Sequence, residues 1–166
     1  MSIPGLDGQP AQSAMTSRDA DLRVIARTVP GESPAEFDLS VTPGDIDHMG
    51  HVNNAVYLSW VQDVVVKYWL QLASEAEIAS HLWVALTHEI TYRKPAFLGD
   101  GVYASIKATG VKGARAAFST VIRRGDDILT EIKSVWCCID NATQRPKRIA
   151  SETSKRFLGS AVALTD

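Results

Sequence analysis

One apolar segment, residues 55–73, constrains the fold of this chain more than any other part of the sequence. Its polar residues recur mostly at every third or fourth position, and they are Ser59, Gln62, Asp63, Lys67 and Gln71. This spacing places one narrow polar stripe on an otherwise apolar helix, whereas a half-buried strand would alternate at every second residue. A helix that is apolar around most of its circumference must be surrounded by other structure, so we predict a buried central helix.

Long strands are predicted after this helix. Turn signals separate four stretches with the character of strands, at residues 82–93, 102–110, 114–124 and 128–140. Another strand, residues 36–42, precedes the helix, and residues 22–29 are a candidate for a short leading strand. Because short turns join consecutive strands, we expect an antiparallel meander. One long helix packed on such a sheet is an α+β fold.

Composition limits the chain to one ordinary domain. The 166 residues are 45% hydrophobic, and the formal charge of −2 gives no broad reason to bind nucleic acid or a membrane surface. Residues 1–21 are expected to form a flexible tail, residues 22–158 the single domain, and residues 159–166 a C-terminal tail. The adjacent Cys137 and Cys138 are poorly placed for a disulfide with each other, which favours two buried thiols and a cytoplasmic location.

A cluster of polar residues lies directly before the predicted helix, and it reads DIDHMGHVNNAVY from Asp45 to Tyr57. The first amides of a helix lack intrahelical partners and carry partial positive charge, so they can hold the oxyanion formed when a thioester or ester carbonyl is attacked. A carboxylate just upstream can activate water or attack directly. The same residues also suit a plain helix start, with an asparagine as N-cap and aspartates as turn formers. Residue types alone leave both interpretations open.

The motif D-x-x-G-H-V-N-N-x-x-Y, from Asp47 to Tyr57, resembles the signature of hot-dog fold thioesterases of the 4-hydroxybenzoyl-CoA thioesterase-like group. A second stretch, residues 92–100, resembles the strand and turn that follow the helix in that group. The resemblance covers residues 36–140. It implies a hot-dog fold, in which a five- to six-stranded antiparallel sheet wraps a long central helix. It also implies an acyl-CoA thioesterase that hydrolyses an acyl-CoA or acyl-ACP thioester to the free acid and thiol.

The resemblance assigns catalytic roles residue by residue. Asp47 occupies the position of the catalytic carboxylate, as general base or nucleophile, and the backbone N–H of Asn54 that of the oxyanion donor. His51 matches a histidine of the same motif. Plant acyl-ACP thioesterases, more distant members of the group, use this histidine with an asparagine two residues before it. Because Met49 stands at that position here, Asp47 with water is favoured over an Asn/His pair. Asp63 is the second candidate for the catalytic carboxylate, because another branch of hot-dog enzymes carries this carboxylate on the central helix. The alternative role for Asp63 is a simple i,i+4 ion pair with Lys67.

Substrate contacts are expected from Gly50, Asn53 and Tyr57 in the first motif. The phosphates of coenzyme A need basic groups, and Lys112 and Arg115 flank Gly113 at a predicted turn where backbone can approach a phosphate. Other basic candidates are Arg93, Lys94, Arg123 and Arg124.

The resemblance implies self-association into a homodimer or homotetramer, with sites at the subunit interface. No cofactor is expected, and no metal, because no cluster of Cys, His and Asp has the spacing of metal ligands. His81 and His88 are therefore interpreted as structural. The alternative function is a non-catalytic hot-dog module that binds an acyl-CoA-like ligand, and a hydratase or dehydratase is a weaker third.

Overall fold

A computed structural model describes residues 23–159 of the chain. The expected N-terminal tail at residues 1–21 and residues 160–166 of the expected C-terminal tail lie outside the described residues. In chain order the elements are β1 (Val24–Ala26), β2 (Ala35–Leu39), a 3-10 turn (Pro43–Asp45), α1 (Asn54–Leu72), α2 (Glu75–Ser80), β3 (His81–Tyr92), β4 (Val102–Lys112), β5 (Arg115–Arg124), β6 (Asp127–Asp140) and α3 (Ser151–Leu158).

The six strands form one antiparallel sheet in the order β1-β2-β4-β5-β6-β3. The expected meander holds for β4, β5 and β6 but not for β3, which pairs with β6 so that His81 lies opposite Asp140. The physical reason is the connection at residues 93–101, which contains Pro95 and is longer than the roughly two to five residues of a hairpin loop. The two edges of the sheet are therefore β1 and β3.

Helix α1 packs one face against the inner side of the sheet. Its buried residues recur at three- and four-residue intervals, and they are Tyr57, Trp60, Val61, Val64, Val65, Tyr68 and Trp69. Alternate strand residues meet them, including Phe37, Ile106, Phe118, Ile132 and Trp136. The helix predicted at residues 55–73 and the α+β fold class are thus confirmed.

The opposite face of α1 is less covered than the sequence predicted. Leu58, Val66 and Leu70 are 38%, 38% and 46% exposed, and Val84 on the edge strand β3 is 50% exposed. The expectation of a helix surrounded by structure is wrong for one chain, because a single sheet covers only one side of it. Apolar side chains of α1 and of β3 are therefore exposed in one chain.

Helix α3 was not predicted from the sequence, in which the last predicted element is the strand at residues 128–140. Its charged residues do reach solvent, but Phe157 is 2% exposed. The Phe157 ring lies 5.6 to 5.8 Å from the rings of its neighbours, which are Tyr68, Trp69, Trp83 and Phe118. This single aromatic anchor fixes α3 over the C-terminal end of α1.

A partly buried carboxylate joins α2 to α3. Glu77 accepts hydrogen bonds from the Thr153 hydroxyl and the Arg156 guanidinium, and it forms a capping box with Ser74. Burial alone would raise the pKa of Glu77, but these hydrogen bonds outweigh it and lower the pKa from 4.5 to about 2. The folded protein therefore stabilises the ionised form of the Glu77 carboxyl group relative to the unfolded chain.

We predict that Glu77→Gln lowers the free energy of unfolding at pH 7 by about 1 to 2 kcal/mol, because a charge-assisted network becomes neutral. A depressed folded-state pKa stabilises the fold above the unfolded value of 4.5, and this contribution is lost as the pH falls toward 2. The difference between wild type and variant should therefore shrink between pH 5 and pH 2, as measured by urea unfolding with tryptophan fluorescence.

The matched control is Glu152→Gln, which removes the exposed pair with Lys155 on the same helix α3. It should change stability by less than about 0.5 kcal/mol at any pH in this range. A Glu77→Gln protein whose deficit is the same at pH 7 and pH 2 would contradict the assignment.

Candidate functional site

The polar motif folds into a tight turn immediately before α1. The Asp47 N–H donates to the His51 carbonyl at 3.0 Å, and the Gly50 N–H donates to the Asp47 carbonyl at 3.0 Å. Gly50 has a φ of 83°, in the left-handed region that favours glycine. Asp47 and His51 thus lie opposite each other at the entrance to the helix.

The two aspartates of the motif have different environments. Asp45 is 6% exposed, and its carboxylate pairs with the Arg23 guanidinium at 2.8 Å through both oxygens. It also accepts hydrogen bonds from Thr42, so it serves to hold the turn against the start of β1. Asp47 is partly exposed; its Oδ1 accepts the Met49 N–H at 2.9 Å, and its Oδ2 receives no hydrogen bond from residues 23–159.

Asn53 caps α1, since its side-chain oxygen accepts the Ala55 N–H at 2.9 Å. Its own N–H donates to the Asp45 carbonyl at 2.8 Å, which ties the cap to the buried ion pair. The N–H of Asn54, the first residue of the helix, has no hydrogen-bond acceptor within the described part of the chain. This N–H lies at the positive end of a 19-residue helix and is available to a ligand.

A pocket of about 160 Å³ opens at this end of the helix. Its lining brings both sequence motifs together and consists of His51, Val52, Asn54, Tyr57, Tyr92, Arg93, Lys94 and Pro95. The volume is similar to that of a cavity of about 150 Å³ that holds a benzene molecule. Asp47, Gly50 and Asn53 do not line the pocket itself; they form the turn and cap beside it.

Two tyrosines form one side of the pocket. The Tyr57 hydroxyl accepts the Ala96 N–H at 3.3 Å, and the Tyr92 hydroxyl donates to the Asn54 carbonyl at 2.9 Å. Their rings meet edge-to-face at 5.4 Å, and Tyr57 meets Trp60 in the same way at 5.2 Å. Burial raises the pKa of both tyrosines, which keeps both hydroxyls neutral near pH 7. The sequence did not single out Tyr92, although the second motif begins with it.

Two cations line the pocket. Arg93 pairs with Glu131, and Lys94 pairs with Asp127 at 2.6 Å. Both basic side chains remain about half exposed, at 54% and 53%. Exposed pairs of this kind are weak, so these cations can exchange their partners for a ligand's negative charge.

Lys112 and Arg115 are not brought to this pocket within one chain. They form the turn between β4 and β5, and Arg115 lies opposite Cys137 in the sheet. The pocket lies near the other end of the strands, where Arg124 lies opposite Asp127. At about 3.3 Å per residue, the length of β5 separates the two ends by roughly 30 Å.

Asp63 lies on α1 at a distance from the pocket. Nine residues of helix separate it from Asn54, which corresponds to about 13 Å along the axis. Burial raises the pKa of Asp63, while the charges of Arg23 and Lys67 act in the opposite direction. The charge of Lys67 thus acts on Asp63 across one helical turn, as in the i,i+4 alternative.

His81 and His88 lie elsewhere in the fold and contact protein groups. His88 meets Trp136 edge-to-face at 5.8 Å, and burial lowers its pKa. His81 lies 2.8 Å from the Ser80 hydroxyl through its Nδ1. Across the described range, no group of three or more His, Cys, Asp and Glu residues is arranged to hold a metal ion. None of the helices in that range is both long and apolar enough to cross a membrane.

The family model of the thioesterase-like superfamily matches residues 41–157, which include the turn, α1 and the pocket. The chain belongs to the thioesterase-like superfamily. This membership confirms the resemblance seen in the two motifs. None of the proteins with curated functions matches the chain.

Solved structures of thioesterases share the fold of this superfamily member. A thioesterase from Thermus thermophilus, complexed with coenzyme A and zinc, is 22% identical over 75% of this chain and 91% of its own, with a TM-score of 0.66. YbaW, a probable thioesterase from Escherichia coli, is 23% identical over 73% and 94%, with a TM-score of 0.62. Slr0204, a 1,4-dihydroxy-2-naphthoyl-CoA thioesterase from Synechocystis, is 15% identical over 74% and 93%, with a TM-score of 0.63. The hot-dog fold is thereby confirmed.

Proposed function

We propose that this protein is an acyl-CoA thioesterase that hydrolyses an acyl-CoA or acyl-ACP thioester to a free acid and a thiol. The observation that carries the proposal is that Asn54 lines the pocket beside a turn bearing a partly exposed carboxylate, and its N–H has no acceptor within residues 23–159. Superfamily membership supports the reaction class. The coenzyme A bound in the Thermus thermophilus structure supports an acyl-CoA substrate.

In the proposed reaction the thioester carbonyl oxygen accepts the Asn54 N–H. Asp47 removes a proton from water, the water oxygen attacks the carbonyl carbon, and the negative charge moves to the carbonyl oxygen. The helix N-terminus stabilises this oxyanion until the carbon–sulfur bond breaks, and protonated Asp47 returns its proton to the leaving thiolate to give the free thiol. In the nucleophilic form of the mechanism, Asp47 attacks the carbonyl carbon and the thiolate leaves; water then hydrolyses the resulting anhydride and its proton goes to the thiolate. His51, opposite Asp47 and in the pocket lining, orients the water or the substrate.

The acyl group occupies the pocket against Tyr57, with Gly50 and Asn53 shaping its entrance. The cations nearest to this pocket are Arg93 and Lys94, and they are the first candidates for the phosphates of coenzyme A. Lys112 and Arg115 fit that role only from a second copy of the chain, because the sheet separates them from the pocket of their own copy.

We propose that two copies associate through β3, as a homodimer or as the unit of a homotetramer. This 12-residue strand is an edge of the sheet, and Leu82, Val84 and Leu86 are 39%, 50% and 46% exposed on it. A long apolar edge strand with unpaired backbone groups is suited to pairing with another strand. The buried free thiols of Cys137 and Cys138 further support a cytoplasmic location.

A non-catalytic acyl-CoA-binding module is the second candidate function. One observation favours it: Asp47 is outside the pocket lining, and one of its oxygens is engaged by the Met49 N–H. The two candidates differ in whether binding of an acyl-CoA is followed by release of thiol.

We predict that Asp47→Asn lowers kcat for thioester hydrolysis at least about 10²-fold, because the variant lacks the base. Asparagine retains the side-chain oxygen that accepts the Met49 N–H, so the turn should remain folded. The measurement is thiol release from a panel of acyl-CoA thioesters, with circular dichroism to verify folding.

The control for this experiment is Asp126→Asn in the exposed turn between β5 and β6, which should retain wild-type activity. Asp63→Asn is assayed in parallel. If the Asp47 variant is fully active and the Asp63 variant is inactive, Asp63 on α1 is the catalytic carboxylate instead of Asp47. Acyl-CoA binding by wild type without thiol release would favour the module.

We predict that Val84→Lys converts the dimer to a monomer, because a charge on the β3 edge opposes strand pairing. The control is Ile25→Lys on the other edge strand, β1, where the side chain is 54% exposed. Size-exclusion chromatography with light scattering should show a monomer only for the Val84 variant. A Val84→Lys protein that remains dimeric would place the interface elsewhere.

A further inference from the structure

The turn that begins at Pro95, a lining residue of the pocket, is held from the sheet. We call residues 95–100 the pocket wall. Asp100 Oδ2 accepts the Phe97 N–H at 2.8 Å and an N–H of the Arg124 guanidinium at 2.7 Å. The same guanidinium nitrogen donates to the Pro95 carbonyl at 3.2 Å. Arg124, at the end of β5, therefore contacts both ends of the pocket wall.

The centre of the pocket wall is bonded to the segment that enters α1. The Ala96 carbonyl accepts the Val52 N–H at 2.8 Å, and the Ala96 N–H donates to the Tyr57 hydroxyl at 3.3 Å. Ala96 itself is fully buried. Val52 precedes the unpaired amide of Asn54 by two residues. A continuous path of short polar contacts thus runs from Arg124 to the helix N-terminus.

Arg124 is committed to these contacts rather than to a ligand. It pairs with Asp100 at 2.7 Å and with Asp127 at 3.5 Å, and its side chain is only 29% exposed. Its hydrogen bond to Asp100 raises the pKa of Arg124 further, and despite some burial Arg124 and the Phe97 N–H keep the pKa of Asp100 low. The sequence had included Arg124 among candidates for phosphate binding, and the structure gives it different partners.

We propose that Arg124 and Asp100 form a positioning pair that fixes the pocket wall against the N-terminus of α1, and so sets the turnover of the bound thioester. This inference rests on the proposed thioesterase activity. Neither residue lines the pocket or contacts substrate. They hold Ala96, which is hydrogen-bonded to Val52 and to the Tyr57 hydroxyl. Through these two residues they fix the position of the Asn54 N–H. Oxyanion stabilisation depends on donor position to within about 1 Å, so a displaced wall reduces turnover more than binding.

The test compares Arg124→Met with Lys147→Met. Lys147 forms a similar ion pair at 3.2 Å with Asp140, whose carboxylate also accepts loop N–H groups. The side chains of Arg124 and Asp100 are 29% and 21% exposed, and those of Lys147 and Asp140 are 34% and 25% exposed. This second pair does not contact the pocket. Similar losses of Tm are expected in both variants.

Arg124→Met should lower kcat about 10- to 100-fold with KM changed less than about threefold, because the affected contact is made in the transition state. Lys147→Met should retain kcat within about twofold of wild type. Asp100→Asn should lower kcat in the same way, and the double variant should be no slower than Arg124→Met, since the two residues act as one unit. Equal kcat values for Arg124→Met and Lys147→Met would overturn the positioning role of Arg124 and Asp100. The same holds if the kcat losses of the two single variants multiply in the double variant.

A second readout does not depend on activity. The Val52 amide is hydrogen-bonded to Ala96, so its hydrogen exchange should accelerate in Arg124→Met and not in Lys147→Met. Unchanged Val52 exchange in Arg124→Met overturns the positioning role whatever the activity. If wild type hydrolyses no thioester, the proposed function fails, and accelerated exchange would still support the structural half of the inference.

Discussion

The packing of one face of α1 on the inner side of the sheet determines where every other part of the site lies. Aromatic and branched residues from Tyr57 to Trp69 fill the space between helix and sheet, and this fixes the axis of the helix. This packing leaves the N-terminus of the helix at the end of the structure where the motif turn and the pocket wall meet through the Val52–Ala96 hydrogen bond. A polar site is thus built at the border of an apolar core, where a partial positive charge is only partly screened by water.

Polar contacts then turn this border into a defined pocket. The buried Asp45–Arg23 pair anchors the turn, and Asn53 caps the helix. From the other side, the wall residue Ala96 bonds to Val52, so the turn and the wall cannot move independently. In the proposed reaction the Asn54 N–H, a carboxylate oxygen of Asp47 and the His51 ring act on the substrate. Residues that hold the turn and residues proposed to act on the substrate are thus neighbours in one motif.

The sequence predicted much of this structure because the signals were local. The helix expected at residues 55–73 is observed as Asn54–Leu72, since its polar stripe has an unambiguous period. The pairing of β3 with β6 could not be predicted, because strand order depends on contacts distant in sequence. For the same reason Lys112 and Arg115 appeared to suit the site until the register placed them at the far end of β5. The burial of Phe157 likewise required the four aromatic neighbours that surround it in three dimensions.

The N-terminus of α1 and its pocket are proposed to bind and hydrolyse a thioester, and every role assigned to the motif depends on that reaction. The decisive measurement is the rate of thiol release by the wild-type protein from acyl-CoA thioesters of differing acyl size, together with their binding. We expect saturable release of thiol from at least one of them, well above the rate without protein. Saturable binding of acyl-CoA with no thiol release from any thioester would contradict the proposed reaction.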